Sequence, residues 1–158
     1  MVEKVDPKEI ELAIVQYLEE PLQLLEVKPI VFPDSIRDYP KVIKDAHVLV
    51  GYVSESYDQT QSLAFPDSPF TQIRIFTFEV AIRVQKLRGN KGVYDLRETI
   101  LNRLRGWRPE IVKSDNSVYK MRYWLVPELV SMDGVEPGGA WLSSVRFSLR
   151  SDVQYYTK

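Results

Sequence analysis

Cysteine is absent from this 158-residue chain. That one absence removes disulfides, thiolate zinc sites and thiol nucleophiles together, and it suits folding in a reducing cytoplasm. Histidine is nearly as scarce, with His47 alone. A Ser-His-Asp relay would have to use it, yet no Gly-x-Ser-x-Gly elbow accompanies it. Its place at the head of a β-rich run favours a structural role. No apolar run approaches the ~20 residues of a membrane helix, and Met1-Val2-Glu3-Lys4-Val5-Asp6 lacks the basic-then-apolar order of a signal peptide. The expectation is a soluble chain with no membrane partner. A surplus of charge is missing too: 21 basic residues face 22 acidic ones, for a net of −1. The whole chain therefore has neither the basic excess of a dedicated nucleic-acid binder nor the composition of an acidic disordered tail.

Phosphate-cradling loops are also lacking. Gly138-Gly139 follows no P-loop pattern, and Gly89-Asn90-Lys91-Gly92 lacks the Gly-Lys-Ser/Thr ending. The second loop precedes a predicted helix, where amides can meet an anion, but a plain turn is the favoured reading. Carboxylate pairs such as Glu19–Glu20 and Asp34–Asp38 arise by chance among 22 acids, and none has EF-hand or HExxH spacing. The sequence thus predicts no enzyme, no catalytic residue, no metal and no cofactor.

What is present is core material: 44% of residues are hydrophobic, including 9 Tyr, 6 Phe and 3 Trp. The length suits one domain, residues 1–158. Asp6-Pro7-Lys8-Glu9 carries the cap, first-turn proline and capping-box acid of a helix start. Ile10, Ile14, Tyr17 and Leu18 continue it as one stripe, with Pro21 predicted to end it. Four prolines then predict an extended segment over 21–45, holding one short strand near Val27–Phe32. His47–Val53 reads as a strand and 54–69 as a long loop. Ile73–Leu87 alternates Phe76, Phe78, Val80, Ile82 and Val84 with polar residues, a long strand expected to project beyond its sheet. Val93, Leu96, Ile100, Leu101 and Leu104 predict a second helix closed by Gly106. Tyr119–Val126 and Glu128–Met132, parted by Pro127, read as strands, and Asp133–Gly139 as a turn. Trp141–Asp152 is a final strand with Trp141, Ser143, Val145, Phe147 and Leu149 on one side. The predicted class is α+β: an antiparallel or mixed sheet with two main helices packed on one face.

Charge divides unevenly between the helices. Residues 1–20 carry six acids and two lysines, whereas Arg83–Arg108 carries eight basic and two acidic residues. Arg97, Arg103, Arg105, Trp107 and Arg108 on the basic side, and Glu9 and Glu11 on the acidic side, are the candidate subunit or partner interface. A solvated face and a nucleic-acid contact through residues 93–108 remain open beside it.

The block Gly92-Val93-Tyr94-Asp95-Leu96 through Leu104-Arg105-Gly106-Trp107-Arg108-Pro109, following the strand Phe76–Val84, resembles a segment of Mu-like prophage tail proteins. Trp141-Leu142-Ser143-Ser144-Val145-Arg146-Phe147 resembles their final strand. These proteins are similar to tail terminators of long-tailed, contractile bacteriophages. The resemblance implies a small domain with helices on a β-sheet, and six copies in a ring that caps the tail tube and ends its growth. It implies as partners other copies of the chain, the tail tube and sheath proteins and the neck or connector protein, with DNA only passing through. It places the protein in the virion tail, assembled in the host cytoplasm. Residues 21–45 and 54–69 have no counterpart in it. A ring needs two different, complementary patches on one chain, and the oppositely charged helices offer such a pair.

Overall fold

The computed structural model describes residues 5–33, 46–58, 70–89, 92–136 and 139–155. The chain runs α1 (Pro7–Gln23), β1 (Pro29–Val31), β2 (His47–Asp58), β3 (Phe70–Val84), α2 (Val93–Leu104), β4 (Glu110–Val112), β5 (Val118–Lys120), β6 (Val126–Val135) and β7 (Trp141–Tyr155). Five strands form one sheet in the order β1-β2-β3-β7-β6, and β4 pairs with β5 as a separate hairpin. Among the described residues, only β1 lies parallel to its neighbour, and the other ladders of this sheet are antiparallel. This is the expected α+β fold with a mixed sheet.

Alternation decides which face of the sheet is buried. Phe76, Phe78, Val80, Ile82 and Val84 of β3 stand beside Val145, Phe147 and Leu149 of β7, all at most 1% exposed. Ile10, Ile14, Leu18 and Leu22 from α1, and Leu96, Ile100 and Leu104 from α2, join them in one cluster. At ~1.5–3 kcal/mol for each fully buried large apolar side chain, this layer is what holds the helices to the sheet. The opposite face is more polar, with Arg83, Glu79, Ser144 and Arg146 at register positions along the same ladder.

α1 begins as its sequence predicts. Asp6 accepts from the Lys8 amide at 2.9 Å, and Glu9 accepts from the Asp6 amide at 3.2 Å. Its end differs from expectation. The helix runs through Pro21 to Gln23 and stops at a left-handed turn on Glu26 (φ 56°), where the Val27 amide reaches back to the Leu22 carbonyl. Buried Leu22 and Val27 anchor that turn. Proline is tolerated within the helix because a side chain from α2 replaces the hydrogen bond it withholds.

Four further expectations change. The strand expected to end at Val53 continues to Asp58, because Ser54–Asp58 pair with Ile73–Thr77 of β3; long-range pairing overrides their turn-like composition. The rest of the predicted loop, 59–69, lies outside the described residues, as does most of the Pro-rich segment, 34–45. β3 does not project alone, since all 15 of its residues pair with β7. Pro127 does not break the fourth sheet strand either: β6 runs Val126–Val135 through it, with register shifts at Glu128 and Asp133. An edge strand tolerates a missing amide that a central strand cannot. The segment expected as one strand over Tyr119–Val126 divides, with Val118–Lys120 pairing with β4 while Met121 and Leu125 hydrogen-bond to Pro109 and Trp107.

Candidate interaction surface

The oppositely charged helices meet inside one chain. Proline has no amide hydrogen, so Pro21 leaves the Tyr17 carbonyl, four residues back, without its helical donor. Arg103 of α2 fills that vacancy, its Nε donating to the Tyr17 carbonyl at 3.0 Å while its guanidinium pairs with Glu20 at 3.0 Å. The same guanidinium carbon stands 3.9 Å from the centroid of the Tyr17 ring. Trp107 stacks on that ring at 4.1 Å with a 4° interplanar angle. Two groups so close to one centroid cannot share a face, so Tyr17 is held between Trp107 and Arg103. Cation–π and stacking contacts of this kind contribute ~0.5–1.5 kcal/mol each.

The rest of the Gly106-Trp107-Arg108-Pro109 block is also engaged within the fold. Gly106 takes φ 73° just past the helix end, a conformation that costs glycine little. The Gly106 amide donates to the Leu125 carbonyl, and the Leu125 amide to the Trp107 carbonyl. Arg108 donates to the Met121 carbonyl at 2.7 Å. On α1, Glu9 serves the capping box and receives Lys113 at 3.0 Å. Glu11 accepts the Tyr52 amide at 2.7 Å, beside the β2 irregularity. Of the seven predicted interface residues, then, Glu9, Glu11, Arg103, Trp107 and Arg108 are engaged inside the chain. Arg97 is half-buried with its guanidinium 5.1 Å from the Tyr94 centroid, and Arg105 is exposed. Lys86 and Arg88, just before α2, lie at the surface as well, Lys86 exposed and Arg88 exposed.

His47 opens β2 opposite Arg83 in the sheet register. The Gly89–Gly92 turn closes on itself by a 2.9 Å bond from the Gly92 amide to the Gly89 carbonyl. The first two α2 amides, Val93 and Tyr94, donate to the Lys86 and Leu87 carbonyls, so these two are not offered to an anion. Glu20 is committed to Arg103, and Asp34–Asp38 lies outside the described residues. Among the described residues no group of three or more His, Cys, Asp or Glu is placed to hold a metal ion. No described helix is long and apolar enough to cross a membrane.

Sequence reading missed two features. The first is the edge strand β6, where Leu129, Val130, Met132 and Val135 are 50, 40, 39 and 53% exposed. The apolar residues signalled a strand, but only the sheet order shows that, among the described residues, no strand covers its outer side. The second is a charged cluster at the far end of β2 and β3. Arg74 donates to Glu55 at 2.7 Å, Tyr57 donates to the same carboxylate at 3.0 Å, and Arg74 lies over the Phe76 ring at 4.2 Å. Burial alone would raise the Glu55 pKa, but the hydrogen bonds from Arg74 and Tyr57 and the Arg74 charge outweigh it and lower it from 4.5. Asp152 follows the same logic, with burial opposed by Arg150 and Tyr123, and sits below 3.8.

A folded-state pKa below the unfolded one makes stability depend on the ionised form. Glu55 and Asp152 therefore contribute fully above their unfolded values of ~4–4.5, and the contribution is lost as pH falls through the lower folded values. Glu55→Gln is expected to flatten the loss of stability on acidification below pH ~4.5, measured as urea midpoints across that range. An unchanged pH slope would show that the cluster is not linked to folding.

Residues 14–124 match the model of one protein family, described as Gp37 protein. No curated protein matches the sequence.

Proposed function

This chain belongs to the Gp37 protein family, a phage protein family, and from that membership we propose that it is a structural tail protein, the tail terminator. The observation that carries the reading is one of position. The Phe76–Val84 strand and the Gly92–Pro109 block, which resemble tail terminators, lie wholly within the family match over 14–124. Copies of the chain form a ring, six in number by the resemblance, on the end of the tail tube. The ring stops tube and sheath growth and gives the neck protein its docking surface, in the virion after assembly in the host cytoplasm. It needs complementary surfaces and no active site.

DNA passes through such a ring, and a strongly basic lumen would retard phosphates by attraction. The exposed Lys86, Arg88 and Arg105 accordingly face a neighbour or the outside. Native mass spectrometry of the purified protein should give hexamers, and labelled protein should decorate tube ends in particle images. Monomer at every concentration, together with bare tube ends, would end this reading.

A second reading is a nucleic-acid or regulatory binding module, favoured by the exposure of the same three cations. It predicts salt-sensitive DNA or RNA binding that falls when Arg88 and Arg105 become Glu. Arg103 is no test of it, because that side chain is committed to Tyr17 and Glu20.

A further inference from the structure

We infer that neighbouring copies join by a knob and a cleft, Trp124 and Arg122 of one subunit seated in the acidic cleft at the end of α1 in the next. This rests on the ring reading and names its surfaces. Trp124 is 57% exposed, yet the backbone beside it is pinned. The Leu125 amide donates to the Trp107 carbonyl at 2.9 Å, and the Leu125 carbonyl accepts from the Gly106 amide at 3.1 Å. The Leu125 side chain is fully buried in the core. The indole is thus presented to solvent from a fixed backbone, which lowers the ordering cost of meeting a partner. Exposed tryptophan and arginine are the side chains that most often anchor a protein interface.

The charge around this knob is unbalanced. Tyr123 donates its hydroxyl to Asp152 at 2.8 Å, and its ring centroid lies 4.7 Å from the Arg150 guanidinium and 5.5 Å from that of Arg122. Arg150 is matched by Asp152 at 2.9 Å. Two arginines therefore share one carboxylate, and the exposed Arg122 is the positive charge left over.

The cleft has the opposite balance. It measures about 450 Å³ and is lined by Glu19, Gln23, Glu26, Val27, Lys28 and Pro29. Two carboxylates there face one lysine, beside apolar Val27 and Pro29. Among the described residues Glu19 makes no ion pair, whereas Glu20 next to it is held by Arg103. Pro29 opens β1 and Trp124 precedes β6, the two ends of the sheet order, roughly 19 Å apart at a strand spacing of ~4.8 Å. A subunit's own tryptophan is therefore far from its own cleft. Contact between two different patches is heterologous, and heterologous contacts are what close rings. A two-fold pairing of knobs would set Arg122 against its own copy, and like charges repel. DNA suits the knob less well, because Asp152 beside it opposes phosphate.

Charge exchange tests the junction. Glu19→Arg alone and Arg122→Glu alone should each stay monomeric in native mass spectrometry at concentrations where the unmodified chain forms rings. Mixed in equal amounts, the two should form rings again with both variants in equal number, because each cleft then meets a knob of opposite charge. Trp124→Ala should keep the thermal unfolding of the subunit and raise the concentration needed for ring formation by about thirtyfold or more, the loss expected for an anchoring side chain. Failure of the mixture to restore rings, with both single variants folded, would show that Glu19 and Arg122 do not meet. Dimers alone from the mixture would show a two-fold contact and overturn the ring junction. Rings at the usual concentration from both single variants and from Trp124→Ala would overturn the assignment while leaving the ring intact. Salt-sensitive DNA binding abolished by Trp124→Ala, with rings unaffected, would give the patch to nucleic acid instead. Monomer alone from the unmodified chain would remove the ring and this junction together.

Discussion

Phe147→Ala is expected to cost about 3–5 kcal/mol of folding stability. Phe147 is fully buried and stands directly opposite Phe78 across the β3–β7 ladder, with fully buried Phe76 two residues along β3. Truncation loses the transfer free energy of the ring and leaves a cavity, and the size of the cavity term depends on how far the surroundings can close. Here they can close little. β7 is paired with β3 on one side and with β6 on the other at this position, so its backbone cannot move inward without breaking a ladder. Urea unfolding should show the full loss in the midpoint with little change in slope. Tyr94→Ala, at a position 36% exposed, serves as a control expected to cost under ~1 kcal/mol. A loss below ~1.5 kcal/mol for Phe147→Ala would mean that the sheet relaxes around the gap.

Trp107→Ala should cost about 2–4 kcal/mol, despite its position beyond the helix end. It removes one of the two groups that hold the Tyr17 ring, and with it a half-buried side chain packed against the core. Arg103→Ala removes the other, and it strips the donor from the Tyr17 carbonyl. Because both act on one ring, their costs should not add, and a double-mutant cycle should return a coupling of ~0.5–3 kcal/mol. Pro21 provides an internal check. Pro21→Ala restores an amide to that carbonyl, so Arg103→Ala should be less costly in that background by ~1 kcal/mol. Strictly additive effects across all three positions would show that the Tyr17 contacts are energetically independent.

The Trp107 site also shows how the Gly92–Pro109 block is used. Trp107, Arg108 and Gly106 carry the resemblance, yet each is used within the fold, as a stack on Tyr17, a contact to the Met121 carbonyl and a helix stop respectively. A motif of this kind identifies a fold better than a docking site. The surface that is left over among the described residues is the outer edge of β6 and the cations before and beyond α2, and neither lies in the motif's most specific residues.

What the sequence determined by itself was everything set by local chemistry. The capping box at Asp6 and Glu9, the apolar stripe of α1, the period-two pattern of Phe76–Val84 and Trp141–Leu149, and the buried faces of both helices follow from spacing and side-chain type alone. So does the poverty of nucleophiles and ligands. Tertiary structure decided whatever depended on a distant partner. Pro21 sits within α1 because Arg103, on the second helix, supplies the hydrogen bond that proline withholds. Ser54–Asp58 are strand because β3 pairs them, and Pro127 is tolerated because β6 happens to be an edge. The acidic and basic helices looked like two faces awaiting neighbours, yet Glu20 and Arg103 find each other first. Charge and apolarity can be read residue by residue, but whether a group is still available to a partner depends on the sheet order and helix packing that consume it.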